Sequence, residues 1–265
     1  MKFSVVANTR HSGIKKILTK VIGFLDDFEL EENTAKVVNL KGTPLSELQG
    51  DMVISLGGDG TLLYILSKVN KPIFGINCGG VGFLTEMEHT EDIFTAIKNL
   101  EKGEFLNQKL QRIDTYINEH HVGSALNEVV LHTSRVAKIQ GFEIHIDGVL
   151  VDSFRGDGLI ISTPTGSTSY AMSLGAPILY PTMKAHIIVP IAAYRIGARP
   201  LVIPSNYEIT AKLTGNPEAV MVLDGQEELL ITIDDNIKFK KASKPVEVIR
   251  FKDNFFERVR NKLRL

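Results

Sequence analysis

Hydrophobic and polar positions follow two different patterns along this chain, and the change comes near residue 104. Before it, short apolar runs alternate with segments whose apolar residues recur every three or four positions, the spacing of one helical face. The predicted strands are Phe3–Ala7, Ala35–Leu40, Met52–Leu56 and Pro72–Asn77, and the predicted helices are Ile14–Leu25, Thr61–Lys68 and Glu91–Lys102. This alternation indicates a Rossmann-like α/β domain, with helices covering both faces of a parallel sheet.

After residue 104, short β-rich runs follow one another, and turn signals such as Asp147-Gly148 join several of them. Runs of this length, separated by tight turns, are typical of antiparallel sheets. The runs are Arg112–Asn118, Ala125–Leu131, Phe142–Ile146, Val149–Phe154, Leu159–Ser162, His186–Pro190, Leu201–Ile203, Ile209–Leu213, Val220–Leu223 and Leu229–Ile233. They predict a second domain with antiparallel β-structure.

The last segment differs again, because Phe255, Phe256, Val259 and Leu263 fall on one face of a predicted helix with basic residues between them. Such a helix can pack back onto the first domain. We therefore predict an α/β domain at residues 1–102, a β-rich domain at 103–242, and a returning segment at 243–265.

Composition narrows the class of protein. The 265 residues are 43% apolar and 23% charged, with 30 basic against 31 acidic side chains. This balance disfavours nucleic acid as a partner. Cys78 has no second cysteine to pair with, no apolar run reaches the length of a membrane span, and the N-terminal residues read as a strand rather than a signal peptide. We expect a cytoplasmic protein with no membrane partner.

The segment Gly57-Gly-Asp-Gly60 lies between a predicted buried strand and a predicted helix. Glycines let a ligand approach the main chain, and the free N–H groups at a helix start favour phosphate. A second glycine cluster, Gly79–Gly82, follows the next strand, and the two turns can line one crevice with Phe83 near a base. The chain has neither the three-glycine dinucleotide fingerprint nor a Walker-type phosphate loop.

Asp59 is the one acid within the first glycine turn. It can hold a metal ion, accept a proton from an attacking hydroxyl, or simply cap the helix that begins near Thr61. The sequence pattern alone leaves these three roles open.

Two further clusters contain the remaining polar candidates. Asn127 and Glu128 interrupt an apolar run, which is costly unless they are hydrogen-bonded or bind a ligand. The stretch from Phe154 to Tyr170 combines Arg155 and Asp157 with six serine and threonine residues. Histidines and cysteine show no transition-metal spacing, so no fixed protein metal site is predicted.

Taken together, these motifs resemble the NAD kinase family, in the family's order and over nearly the whole chain. They are Gly57–Thr61, Gly79–Thr85, Asn127-Glu128, Asp157–Tyr170, Ala198–Val202 and Asp224–Gln226. The Gly-Gly-Asp-Gly motif alone also occurs in diacylglycerol, sphingosine and phosphofructokinases. The Asn-Glu pair with Thr163-Pro-Thr-Gly-Ser-Thr168 is more specific. One departure is Ser169, where the family usually has alanine.

The resemblance implies phosphorylation of the 2′-hydroxyl of the adenosine ribose of NAD, giving NADP, with Asp59 as general base. Glu128 would bind ribose hydroxyls, and Asn127, Thr165 and Thr168 would contact adenine. The NAD-binding set implied is Asp59, Gly60, Phe83, Asn127, Glu128, Lys138, Arg155, Asp157, Thr165, Thr168, Ser169, Tyr170, Ser173 and Gln226. The implied phosphate-donor cradle is Gly57, Gly58, Gly60, Thr61, Gly79 and Gly80.

The resemblance also implies ATP or polyphosphate as phosphate donor with Mg²⁺ or another divalent cation, a β-sandwich-like C-terminal domain, and self-association to a homodimer or homotetramer. Two alternatives stay open at this point. A related lipid or sugar kinase would not depend on Asn127 or Thr168. A non-catalytic NAD(H) sensor would bind NAD with or without Asp59.

Overall fold

The computed structural model describes residues 1–80, 82–135, 137–195 and 197–263, and the chain divides into two units. Unit 1 contains Met1–Lys109 and Val246–Leu265, and unit 2 contains Leu110–Pro245. The domain limits predicted from the sequence remain a prediction. In the described part of the chain, no helix has both the length and the apolar character needed to cross a membrane.

The first part of unit 1 alternates strands and helices. Its elements are β1 (Phe3–Ala7), α1 (Ile14–Ile22), β2 (Phe28–Leu30), α2 (Glu32–Val37), β3 (Met52–Leu56), α3 (Asp59–Lys68), β4 (Ile73–Asn77), β5 (Met87–Glu88), α4 (Ile93–Lys102) and β6 (Leu106–Leu110). Gly103 ends α4 in the left-handed conformation that favours glycine (φ 75°).

Unit 2 is built of β-strands and one short α-helix. Its elements are β7 (Ile113–Ile117), β8 (His120–Ala125), β9 (Glu128–Thr133), β10 (Gln140–Ile146), β11 (Val149–Gly156), β12 (Gly158–Ser162), α5 (Tyr170–Ser173), β13 (Ala185–Ile191), β14 (Leu201–Pro204), β15 (Ile209–Thr214), β16 (Glu218–Leu223), β17 (Glu227–Thr232) and β18 (Ile237–Lys241). The chain then re-enters unit 1 as β19 (Val246–Arg250) and α6 (Phe255–Leu263).

The sheet of unit 1 has the order β2-β1-β3-β4-β19-β6, with β5 also on β4, and its central pairs are parallel. Every residue of β1, β3 and β4 is buried, as expected for a sheet with helices on both faces. Ala7 pairs with Leu56, and Leu56 with Ile76, so the carboxyl ends of these strands are level. The two glycine turns therefore start side by side.

Unit 2 contains two antiparallel sheets that share one core. Their orders are β11-β10-β15-β18-β7-β8 and β14-β13-β12-β9-β16-β17. Phe142 and Phe239 from the first sheet pack in the same apolar cluster as Leu131 and Ile161 from the second, which is sandwich packing. The predicted fold class, a parallel-sheet α/β domain followed by antiparallel β-structure, is confirmed.

Two predicted strands are wrong. The predicted strand Ala35–Leu40 is absent, because residues Glu32–Val37 form α2, whose N-terminus is capped by the Glu31 carboxylate at the backbone N–H groups of Asn33 and Thr34. The run Ala125–Leu131 is not continuous. It breaks between β8 and β9, where the carboxylate of Asp224 binds backbone N–H groups.

Candidate active site

The turn from β3 to α3 has glycines for two different reasons. A Cβ at Gly57 would lie 2.3 Å from the Thr61 hydroxyl oxygen, so this glycine makes room for a protein side chain. A Cβ at Gly60 would meet none of the described atoms within 4 Å. Gly60 leaves open space at the first turn of α3, where backbone N–H groups lack intrahelical partners.

The second glycine turn is held by Asn77, the last residue of β4. Its side-chain amide donates to the Gly80 carbonyl at 2.9 Å and accepts from the Gly79 N–H at 3.2 Å. Gly79 and Gly80 have φ values of 151° and 87°, which few other residues tolerate. A Cβ on Gly58 would lie 3.9 Å from the Gly79 carbonyl, so the structure brings the two turns of the predicted cradle together.

The carboxylate of Asp59 accepts hydrogen bonds from three successive backbone N–H groups. The distances are 2.6 Å from Phe83, 3.0 Å from Leu84 and 3.2 Å from Thr85. Asp59 does not cap α3, because the N-cap residue is Gly58 and Asp59 is already helical. The capping alternative is therefore wrong. The side chain is half-buried and reaches across from α3 to the second turn.

The carbonyl groups of the same segment face cations from the C-terminal part of the chain. Arg250 and Arg258 are both 8% exposed, and their guanidinium groups donate to the carbonyl of Phe83 at 3.1 and 3.0 Å. The Lys262 ammonium group donates to the Gly82 carbonyl and lies 5.9 Å from the centre of the Phe83 ring. Segment 82–85 is thus bonded on both sides of its backbone.

In unit 2, the carboxylate of Asp224 repeats this arrangement. It accepts from the backbone N–H groups of Leu126 at 2.7 Å, Asn127 at 2.8 Å and Glu128 at 3.1 Å. Asp224 and Gly225 form the β16–β17 turn with positive φ values of 49° and 65°, as in a tight hairpin. Burial raises the pKa of Asp224 to about 6, and the three N–H donors oppose this rise.

Glu128 is buried and only partly satisfied by the protein. Its Oε1 accepts from the Ser169 hydroxyl at 2.9 Å, whereas its Oε2 has no hydrogen-bond partner among the described residues. Burial, together with the nearby charge of Asp224, raises the pKa of Glu128 to about 7. Asn127 Oδ1 and Thr165 Oγ1 are also buried without a partner in the described chain. Three buried polar atoms of this region are thus not hydrogen-bonded by the described part of the chain.

The hydroxyl-rich loop packs directly against this pair. The Thr163 hydroxyl donates to the Leu126 carbonyl at 2.5 Å, and its backbone N–H donates to the Asn127 carbonyl at 2.9 Å. A Cβ on Gly166 would lie 2.2 Å from that Asn127 carbonyl oxygen, so only glycine fits. Residues Thr165–Thr168 form a 3-10 helix, and the hydroxyls of Thr163 and Ser167 donate to carbonyls, which allows these polar side chains to be buried.

The structure separates the predicted residues of unit 2 into two groups. In the first group, Asn127, Glu128 and Thr165 own the unpartnered atoms, and Ser169 bonds to Glu128. Thr168 is in the same 3-10 helix as Thr165, Gln226 is in the turn with Asp224, and Tyr170 and Ser173 are on α5. In the second group, Asp157 comes directly before β12. Glu128 pairs with Ser162 at the opposite end of β12, so Asp157 and Ser162 are about 16 Å apart along the strand at about 3.3 Å per residue. Arg155 and Lys138 are exposed. Arg155 is on β11, two residues before Asp157, and Lys138 is in the β9–β10 loop.

Sequence reasoning missed the residues that hold the site in place. Asp224 was noted only as part of a motif, and Arg250 and Arg258 were not singled out. Phe256, predicted on the packing face of α6, is 73% exposed, and Arg258 is buried instead because carbonyls and Glu86 surround its guanidinium. The one available signal was an arginine ending the apolar run Val246–Ile249.

Comparisons with known proteins agree with this geometry. The family model for the ATP-NAD kinase N-terminal domain matches residues 4–105, and that for the ATP-NAD kinase C-terminal domain matches residues 126–251. The NAD kinase of Thermoplasma acidophilum is 34% identical over 99% of this chain and 98% of its own length. That of Methanosarcina acetivorans is 41% identical over 87% of this chain and 86% of its own length.

Two solved structures are similar throughout. The NAD kinase of Archaeoglobus fulgidus in complex with ATP has a TM-score of 0.78 and 32% identity, covering 98% of this chain and 99% of that chain. Yeast NADH kinase complexed with NADH has a TM-score of 0.91 and covers 100% of this chain and 88% of that chain, and at 19% identity it shows the fold alone. The chain therefore belongs to the NAD kinase family, the enzymes that phosphorylate NAD.

Proposed function

We propose that this enzyme transfers the terminal phosphoryl group of ATP to the 2′-hydroxyl of the adenosine ribose of NAD, with Asp59 as general base. The observation that carries the proposal is the Asp59 carboxylate, held by three backbone N–H groups at the start of α3. A carboxylate has about four lone-pair positions, so three contacts leave one for a substrate hydroxyl.

The step is a phosphoryl transfer with the proton passed to the enzyme. The 2′-oxygen forms the new bond to phosphorus, the bond from phosphorus to the ADP oxygen breaks, and the hydroxyl proton goes to Asp59. Because backbone donors fix the carboxylate, it needs little reorganisation when the proton arrives.

The two glycine turns of unit 1 support a phosphate donor. They offer exposed backbone at Gly60 and Gly80, where a Cβ would meet no described atom within 4 Å, and the N-terminal end of α3 favours negative charge. The Archaeoglobus fulgidus relative, solved with ATP, supports ATP over polyphosphate.

Mg²⁺ fits this site as an ion carried by the donor. The described ranges contain no cluster of three or more histidine, cysteine or acidic side chains that could hold a metal. The Asp59 carboxylate is already occupied by N–H donors. Phosphate oxygens and water would therefore supply most of its ligands, as Mg²⁺ prefers, and the ion would neutralise charge on the transferred group.

The unpartnered atoms of unit 2 support adenosine binding. Ribose hydroxyls can donate to Glu128 Oε2, and the adenine amino group can donate to Asn127 Oδ1. Thr165 and Thr168 complete the adenine contacts, and Ser169, Tyr170, Ser173 and Gln226 extend the surface along the dinucleotide.

We also propose a homo-oligomer, in which Lys138, Arg155 and Asp157 contact a dinucleotide bound to another subunit. Two edge strands expose apolar side chains, with Val149 66% and Leu150 54% exposed on β11 and Leu201 43% exposed on β14. Exposed apolar edges are typical of association surfaces. Light scattering of the purified protein measures the assembly, and a monomer at assay concentration would contradict it.

The reaction is tested by NADP formation from NAD, ATP and Mg²⁺, read with an NADP-specific dehydrogenase. Asp59→Asn should form almost no NADP while still binding NAD, and the exposed Asp26→Asn should behave as wild type. Replacing ATP by polyphosphate tests the donor, and faster turnover with polyphosphate would contradict our assignment of ATP. Near-normal turnover of Asp59→Asn would exclude the general base.

A further inference from the structure

Each of the three N–H groups that hold Asp59 belongs to a peptide whose carbonyl is held by a cation. The Phe83 N–H shares a peptide with the Gly82 carbonyl, which accepts from Lys262. The Leu84 N–H shares one with the Phe83 carbonyl, which accepts from both arginines, Arg250 at 3.1 Å and Arg258 at 3.0 Å.

The third peptide completes the pattern. The Thr85 N–H shares it with the Leu84 carbonyl, which accepts from Arg250 at 2.9 Å. The following carbonyls are held as well, since Arg258 donates to Thr85 and, at 3.1 Å, to Glu86. A peptide is planar, so fixing its carbonyl fixes the direction of its N–H.

The arginines are themselves fixed by Glu86. The Glu86 carboxylate lies 2.5 Å from Arg258 and 3.3 Å from Arg250, and all three side chains are less than a tenth exposed. Burial and the charge of Arg258 lower the pKa of Arg250 to about 10, which leaves it charged at neutral pH. Planar guanidinium groups with several donors suit such multiple contacts better than an ammonium group.

We propose that Arg250 and Arg258 are positioning residues for phosphoryl transfer, which act on Asp59 through the peptides of residues 82–85. They orient the N–H groups and thereby set where the free lone pair of Asp59 points. The inference rests on the proposed role of Asp59 as general base. It gives the C-terminal segment of unit 1 a task in catalysis in addition to its packing.

The first test compares Arg258→Met with Arg260→Met. Both residues are on α6, but Arg260 is exposed, and its guanidinium donates to the side chain of neighbouring Asn261. Because a misplacement of about 1 Å can cost roughly 10²-fold in rate, we expect Arg258→Met to lower kcat by about that factor with less than threefold change in the KM for NAD. Arg260→Met should match wild type. Equal kcat values for the two variants would overturn the proposal.

A double-mutant cycle separates positioning from general destabilisation. If Arg258 acts through Asp59, adding Arg258→Met to Asp59→Asn should cost little further turnover. Millimolar ethylguanidine should restore part of the kcat of Arg258→Ala, whose truncated side chain leaves room for it, and none of that of Asp59→Asn. Full multiplication of the two factors, or no rescue, would show that Arg258 supports only the fold.

Two further variants keep the test decisive if Arg258→Met unfolds. Arg258→Lys keeps the charge but loses the fork of donors, and Arg258→Gln removes one of the two cations facing Glu86 while leaving the Glu86–Arg250 ion pair intact; both should fold and both should lose kcat. Wild-type kcat in either folded variant contradicts the proposal. Active Asp59→Asn would disprove the general base, and this inference with it, whereas inactive Asp59→Asn beside unchanged Arg258 variants would disprove the inference alone.

Discussion

The carboxylates of Asp59 and Asp224 make the same set of hydrogen bonds, but the roles we propose for them differ. Each carboxylate accepts three successive backbone N–H groups, from residues 83–85 in unit 1 and from residues 126–128 in unit 2. Asp59 is half-buried, with open space at Gly60, which suits the role of general base that we propose for it. Asp224 instead holds the backbone of Asn127 and Glu128, whose side chains we propose to bind adenosine. Asp59 is thus the proposed reacting group, whereas Asp224 fixes the backbone that carries two proposed ligand-binding side chains.

The carbonyl sides of the two segments differ as well. In unit 1 they are held by guanidinium and ammonium groups. In unit 2 the donors are neutral, namely the hydroxyls of Thr163 and Ser162 and the backbone N–H groups of Thr163 and Asp224. Charged donors make stronger hydrogen bonds and stabilise a nearby carboxylate. Unit 1 has them beside the proposed base, whereas in unit 2 two buried acids keep raised pKa values.

The largest expected effect comes from changing the two aspartates in parallel. Asp59→Asn should lower kcat by roughly 10²–10⁴-fold, because positioned bases contribute that much. Asp224→Asn should instead raise the KM for NAD by about tenfold, because one mispaired buried donor costs about 1–3 kcal/mol. Steady-state kinetics separates the two, and a shared change in the same constant would break the comparison.

Two glycines give the next effect. Gly166→Ala should lower the free energy of unfolding by about 3 kcal/mol, since its Cβ would overlap the Asn127 carbonyl oxygen. Gly60→Ala should leave stability unchanged or raise it by up to about 1 kcal/mol, yet raise the KM for ATP, because its Cβ occupies ligand space. Denaturant unfolding and kinetics test both. Unchanged kinetics in Gly60→Ala would show that no ligand approaches there.

Glu128 should make stability depend on pH. The Glu128 carboxyl binds its proton more tightly in the folded protein than in the unfolded chain. Its contribution to the free energy of unfolding is therefore fully present below pH 4.5 and is lost as pH rises through about 7. The loss is no more than about 3 kcal/mol. Thermal unfolding of ligand-free protein at pH 5.5 and 8 should show a smaller drop in Glu128→Gln than in wild type. The exposed Glu228→Gln is the control, and equal drops in all three would contradict the assignment.

The smallest effect is expected at Ser169. Its hydroxyl bond favours the ionised form of Glu128, so Ser169→Ala should move the pKa of Glu128 further up. One hydrogen bond is worth about 1 kcal/mol, so we expect the KM for NAD at neutral pH to rise less than fivefold. At pH 8.5 the difference from wild type should shrink, and a constant difference would mean that Ser169 contacts NAD directly.

Much of the fold could be predicted from the sequence, because buried strands and helix faces require apolar residues at regular positions. Strands β1 and β3 have the predicted limits, Phe3–Ala7 and Met52–Leu56, since both faces of a parallel sheet demand apolar residues. Family membership followed from short polar motifs. Strands β18 and β19 are among those not predicted, because three of the five residues of Ile237–Lys241 are lysine and Val246–Arg250 is short.

The arrangement of the site was harder to predict, because it depends on long-range contacts of backbone groups. Asp59 meets residues 24 to 26 positions away, and Arg258 meets carbonyls more than 170 positions away. A backbone N–H or carbonyl has the same chemistry in every residue, so no local pattern shows which one a distant side chain will bind. The named roles of the ligand-binding residues likewise remain predictions.

The discontinuity of unit 1 sets an order of events during synthesis on the ribosome. Residues 110–245 form one uninterrupted stretch, so unit 2 has all its strands before β19 and α6 of unit 1 have been made. Domains tend to fold as their sequence emerges. The peptides around Asp59 therefore receive their contacts from Arg250 and Arg258 only after every strand of unit 2 has been synthesised, so the surroundings of the proposed base are completed last.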